Sequence, residues 1–108
     1  MTVEVYQRND LLLKHQIVDD TGAPVQLAGA SVIFTAQRFG NEVLRKSTPD
    51  GITIVDAAQG RIEIHLTHDD TNLPSGDYRM ELLVIDADGN RHTAAQGALR
   101  VLTSLHGE

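Results

Sequence analysis

The chain has no cysteine and no tryptophan, and only two tyrosines, two phenylalanines and three prolines in 108 residues. Without cysteine there is no disulfide staple and no thiolate metal ligand, so stability has to come from packing and hydrogen bonds, which suits a reducing compartment. Basic residues are also sparse: nine Lys and Arg stand against fifteen Asp and Glu, a formal net charge of -6. The nine are scattered, so nothing offers a phosphate backbone a positive footprint, and nucleic acid is excluded as a partner. Long apolar runs are missing too. The longest, Leu11 to Leu13 and Leu82 to Ile85, fall far short of a membrane span, and Met1-Thr2-Val3-Glu4-Val5-Tyr6 has no basic patch leading into an apolar stretch. Neither a signal peptide nor a membrane partner is expected.

What remains is a globular balance, 41% hydrophobic and 22% charged, in a length that suits one domain spanning 1–108. The dominant pattern is alternation with a period of two, the signature of half-buried strands, and no window carries a helical apolar stripe. Arg61 to Thr67 is the clearest case, with Ile62, Ile64 and Leu66 on one face and Glu63, His65 and Thr67 on the other. Tyr78 to Asp86 turns Tyr78, Met80, Leu82 and Val84 inward, while Leu83 and Ile85 make its second face apolar as well, which predicts a central strand. Gly29 to Phe39 places Val32, Phe34 and Ala36 inward, and Asp10 to Asp19 does so with Leu11, Leu13 and Ile17. Ile52 to Val55, Glu42 to Lys46, Arg91 to Leu102 and Val3 to Arg8 add shorter runs, for seven or eight strands in all.

Turn-forming clusters separate these runs at intervals of about ten residues, the rhythm of a sandwich or barrel rather than of alternating strands and helices. Asp19 to Pro24, Phe39-Gly40-Asn41, Pro49-Asp50-Gly51, Gln59-Gly60 and Asp86 to Asn90 supply them. Thr67-His68-Asp69-Asp70 resembles a capping box and predicts one short helical turn ending before Pro74. After it, Leu73-Pro74-Ser75-Gly76-Asp77-Tyr78 has the form of a tyrosine corner: Leu73, Gly76 and Tyr78 would let the ring be buried while its hydroxyl turns back onto upstream backbone. The expectation is therefore an all-β, immunoglobulin-like antiparallel β-sandwich of seven to eight strands. Met80 stands where antibody domains carry a core cysteine, and Phe34 is placed to fill the space of their core tryptophan. An open barrel of the same strands is the competing architecture.

No catalytic, cofactor or metal constellation emerges. Asp86-Ala87-Asp88-Gly89-Asn90 lacks the spacing of a calcium loop and reads as a hairpin turn. Asp69, Asp70 and Asp77 are potential cation ligands near one corner, but carboxylates there serve equally as caps and turn formers. His65 and His68 lie on and beyond a strand, where their spacing does not converge on zinc, and His15, His92 and His106 have no ligand pattern. Ser31, Ser47, Ser75 and Ser104 lack a nucleophile-elbow setting. An enzyme is not expected. Glycan binding is weakened by the shortage of aromatics, with only Tyr6 and Phe39 left as surface anchors, each of which could equally close an end of the core. Among the strands, Glu42, Arg45 and Lys46 look like charges that block an edge. Val3 and Val5 of the first strand look freer, so Thr2 to Arg8, or Leu99 to Leu102 with Leu99 and Val101, is expected to contribute an edge for assembly into a homo-oligomer or onto a partner.

Four motifs occur in a fixed order. They are Asp19-Asp20-Thr21-Gly22-Ala23-Pro24-Val25-Gln26-Leu27-Ala28-Gly29-Ala30, then Gly60 to Thr67, then Leu73 to Tyr78, then Asp86 to Arg91. Together they make the run from Asp10 to Val101 similar to the immunoglobulin-like N-terminal domain of phage baseplate upper proteins and related tail components. That resemblance implies a structural, non-catalytic domain of a virion or prophage tail, made in the host cytoplasm and docking to other tail proteins, with no cofactor. The chain stops at Glu108, where baseplate upper proteins continue into regions that attach receptor-binding proteins.

Overall fold

The computed structural model describes residues 2–105. Eight strands follow in order: β1 (Thr2–Tyr6), β2 (Leu11–Gln16), β3 (Ser31–Arg38), β4 (Asn41–Ser47), β5 (Ile52–Asp56), β6 (Arg61–Leu66), β7 (Gly76–Ile85) and β8 (Arg91–Leu102). They form a five-stranded sheet in the order β1-β8-β7-β3-β4 and a three-stranded sheet in the order β2-β6-β5. Every pairing is antiparallel except β1 alongside β8. Hairpins join β3 to β4, β5 to β6 and β7 to β8, while β2 to β3, β4 to β5 and β6 to β7 cross between the sheets. This is the Greek-key order of an immunoglobulin-like sandwich with an extra strand on its larger sheet.

The alternation dictates the core. Val32, Phe34 and Ala36 on β3, and Tyr78, Met80, Leu82 and Val84 on β7, face Ile62, Ile64 and Leu66 on β6, and all are buried. β7 lies between β3 and β8 and is paired along both sides. Ile17 and Leu27, from the long β2–β3 connection, close one end of the core. Gly60 turns the chain there with φ of 68°. A Cβ at that position would lie 2.5 Å from the Ile17 carbonyl and 2.9 Å from that of Val25, so the close approach of three backbones depends on glycine.

The expected helical turn is a single hydrogen-bonded turn and does not extend into a helix. The Thr71 amide donates to the Thr67 carbonyl at 3.1 Å. The capping reciprocity is complete: the Thr67 amide donates to Asp70 Oδ2 at 2.8 Å and the Asp70 amide to Thr67 Oγ1 at 3.3 Å. Leu73 bends away at once, its amide bonding the Thr71 carbonyl at 2.8 Å, and Pro74 disfavours helical backbone in the residue before it.

Candidate docking surface

One end of the sandwich is organised by the corner. The Tyr78 ring is buried and its hydroxyl donates to the Pro74 carbonyl at 2.5 Å. A residue that sequence reasoning did not single out completes it. Arg38, at the end of β3, donates to the Ser75 carbonyl at 3.3 Å and to the Tyr78 hydroxyl at 3.4 Å, with its guanidinium 5.2 Å from the Tyr78 ring centre. Gly76 makes room for it: with φ of 136°, its Cβ would sit 2.9 Å from Arg38 Nη2. Leu73 is half-buried against the core. Register is the signal that would have found Arg38, because β3 pairs with β7 residue by residue down to Gln37 opposite Arg79.

Next to Arg38, the β3–β4 hairpin turns through Phe39 and Gly40, both at positive φ, 53° and 79°. This combination suits a type I′ turn, whose first position normally carries Asn, Asp or Gly. A phenylalanine there bears the steric cost of left-handed backbone. It also bears the cost of exposure, since Phe39 is 89% exposed. The Arg38 guanidinium lies 5.0 Å from its ring centre, so one arginine spans both Tyr78 and Phe39. The hairpin tip is thus an aromatic knob stiffened from beneath. Tyr6 is 54% exposed at the same end, but β8 and β7 separate its strand from β3. Three strand spacings put the two aromatics roughly 14 Å apart, too far for one platform.

The two halves of the expected assembly edge differ. β1 is an edge strand, with Val3 half-buried and Val5 buried in the core rather than free. Leu99 and Val101 are buried and lie between β1 and β7, so that stretch of β8 is interior and not an edge. Period-two alternation gives a residue's face but not its neighbours in the sheet. β1 covers only Ala98 to Leu102 of β8, so Arg91 to Gly97 has no strand on its outer side among the described residues. On β4, Arg45 pairs with Glu42 at 3.2 Å on the surface, as edge charges do. Lys46 does not act as a blocking charge. It shares the inward parity of Leu44, lies opposite Phe34, and reaches Asp70 at 2.7 Å.

At the opposite end of the sandwich, the β2–β3 connection and the start of β8 enclose a cleft of about 810 Å³. Ile17, Val25, Val84 and Ala94 give it apolar walls, while Asp19, Asp20 and Asp86 stand among its polar lining with His92. Asp19 accepts bonds from the Thr21 hydroxyl at 2.6 Å and from the Thr21 and Ala23 amides, which keep its carboxyl below the usual range. Asp86 is held ionised in the same way, first by the Asn90 amide at 2.9 Å and then by His92 at 3.4 Å and the Asp88 amide. The Asp86 to Asn90 segment is a hairpin turn, as its sequence predicts, closed by the Asp86 amide on the Asn90 carbonyl.

The remaining polar residues are placed separately. Asp70 is committed to Lys46 and to capping Thr67: burial works against its charge, but those bonds outweigh it and lower its pKa. Asp77 pairs with Arg100 at 3.0 Å and Asp69 is exposed, so the three carboxylates do not converge. His68 lies 3.2 Å from Asp10, whose carboxyl is lowered chiefly by the His68 amide. His65 is on the solvent face of β6. His15 faces inward at the rim of β2, where burial lowers its pKa. His106 lies outside the described residues. No three His, Asp or Glu side chains among the described residues are placed to hold a metal ion.

An immunoglobulin-like sandwich serves as an interaction module in many unrelated proteins, so its surface features and not its fold have to identify the function. No protein-family model and no curated protein matches the sequence. Among solved structures, the V domain of amphioxus IgVJ-C2 is similar at 17% sequence identity, over 93% of this chain and 99% of that one, with a TM-score of 0.33. The assignment of the fold here rests on the strand order and on the Tyr78 corner.

Proposed function

We propose that this chain is a non-catalytic interaction module of a phage or prophage particle, associated with the tail or baseplate, which works by docking to particle proteins. Phe39 carries the docking reading. A bulky aromatic that is both exposed and held in left-handed backbone is doubly unfavourable for the isolated domain, and such strain is retained where contact with a partner uses it. Aromatic residues, phenylalanine included, and arginine are enriched at protein interfaces. The particle reading comes from the ordered motifs between Asp10 and Val101, and it makes the virion the destination of a chain synthesised in the host cytoplasm.

The test is to induce the source cells with mitomycin, band the particles on a density gradient and quantify this chain by mass spectrometry. Co-banding at a fixed copy number is expected; particles that form without it would end the particle reading. A second reading, a small sandwich that binds a glycan, draws on the exposure of Tyr6 and Phe39. Their separation across the sheet speaks against a shared sugar platform, and binding on a glycan array that is lost in both Tyr6→Ala and Phe39→Ala would restore it.

A further inference from the structure

Resting on the docking reading above, we infer that the chain associates with itself head to tail, the Phe39 knob of one copy seating in the cleft between the β2–β3 connection and the start of β8 of the next. Both halves of such a contact are present on one chain and at opposite ends of it. Ser31 at the start of β3 pairs with Ile85, beside the cleft, and Arg38 at its end adjoins the knob. Eight extended residues separate them by about 25 Å, so no copy reaches its own cleft.

The two surfaces match in shape and in charge. The cleft lies within the size range of sites that take a small molecule, about 300–1,000 Å³, which is ample for one aromatic ring, and Val25, Val84 and Ala94 are among its apolar lining. Three carboxylates, Asp19, Asp20 and Asp86, line it, and no Lys or Arg does. Around the knob the carboxylates are already matched, Glu42 by Arg45 and Asp77 by Arg100. Arg38 bonds only a carbonyl and a hydroxyl oxygen, so its charge has no carboxylate among the described residues. A cation beside an aromatic thus meets an acidic rim around an apolar floor. Because the contact joins two different patches, it repeats into a ring or an open filament with a spacing no longer than the 44 Å length of the domain.

Sedimentation velocity on the full chain, from about 10 μM to about 1 mM, tests this. Self-association that weakens with added salt is expected, because the rim contacts are charged. Phe39→Ala should raise the dissociation constant by at least about 30-fold, the scale of a hot-spot truncation, and the exposed rim change Asp20→Lys by about tenfold or more. The distinguishing experiment mixes these two variants. One retains a cleft and the other a knob, so together they should form a one-to-one dimer that does not grow further.

A wild-type chain that stays monomeric at about 1 mM would overturn the inference, as would Phe39→Ala associating like wild type or a mixture that gives no dimer. Co-banding with particles of a chain that is monomeric at that concentration would leave the docking reading standing with a different partner. Self-association of a chain absent from particles would do the reverse.

Discussion

Removing one oxygen from Tyr78 probes the corner without disturbing the core. The Tyr78→Phe ring keeps its buried position, but the Pro74 carbonyl loses its donor and Arg38 loses one of its acceptors. The bond to Pro74 is short, and a typical net contribution is about 0.5–1.5 kcal/mol. The contact from Arg38 is long at 3.4 Å, and the guanidinium keeps the Ser75 carbonyl, so its loss adds only a few tenths of a kcal/mol. The bond is only partly buried, so the freed carbonyl does not carry the full penalty of an orphaned group in the core. The total is about 1 to 2 kcal/mol, or roughly 4 to 10 °C in the melting midpoint of a domain this size. Urea unfolding monitored by circular dichroism measures it directly, with an unchanged m-value showing that only stability moved. A change below about 0.3 kcal/mol would mean that the hydroxyl does not pin the crossing between sheets.

Gly60→Ala should cost at least about 2 kcal/mol, since its Cβ meets backbone oxygens of Ile17 and Val25 that no side-chain rotation can move, and thermal unfolding reads the loss. Phe39→Asn should have the opposite sign. Asparagine accepts the left-handed backbone of the Phe39-Gly40 turn, so the variant should melt higher by about 0.5 to 1 kcal/mol while losing docking. Asp70→Asn should cost about 1 to 2 kcal/mol at neutral pH by leaving half-buried Lys46 without its carboxylate. The folded carboxyl titrates below its ordinary value of 3.8, so the unfolded chain binds more protons in that range and stability falls as pH drops below about 4. Acid titrations of both proteins should show a shallower slope for the variant.

The strands were legible because one face of each is buried and the other is not. Ile62, Ile64 and Leu66, or Val32, Phe34 and Ala36, announce a period of two in any sheet that covers one side. Their neighbours were not legible, because alternation is identical whether a strand is interior or at an edge; Leu99 and Val101 were misplaced for that reason. The Leu73-Gly76-Tyr78 corner was visible as a local pattern, yet Arg38 was not, since it comes from a strand forty residues upstream of Tyr78. Lys46 reads as a surface charge until register places it opposite Phe34 and aims it at Asp70. Phe39 was legible only as an alternative, a surface anchor or a lid on one end of the core, and its exposure and backbone dihedral together decide for the surface. The cleft at the other end is built from a long connection and a hairpin turn, and no spacing in the sequence brings those together.

If the strain at Phe39 is kept for contact, the particles will show it directly. Cells supplying Phe39→Asn in place of the wild-type chain would be induced, and the copy number of the domain in banded particles compared with its folded level in the lysate. The variant is expected to be at least as stable and as abundant as wild type but largely missing from the particles. Incorporation at the wild-type copy number would contradict it.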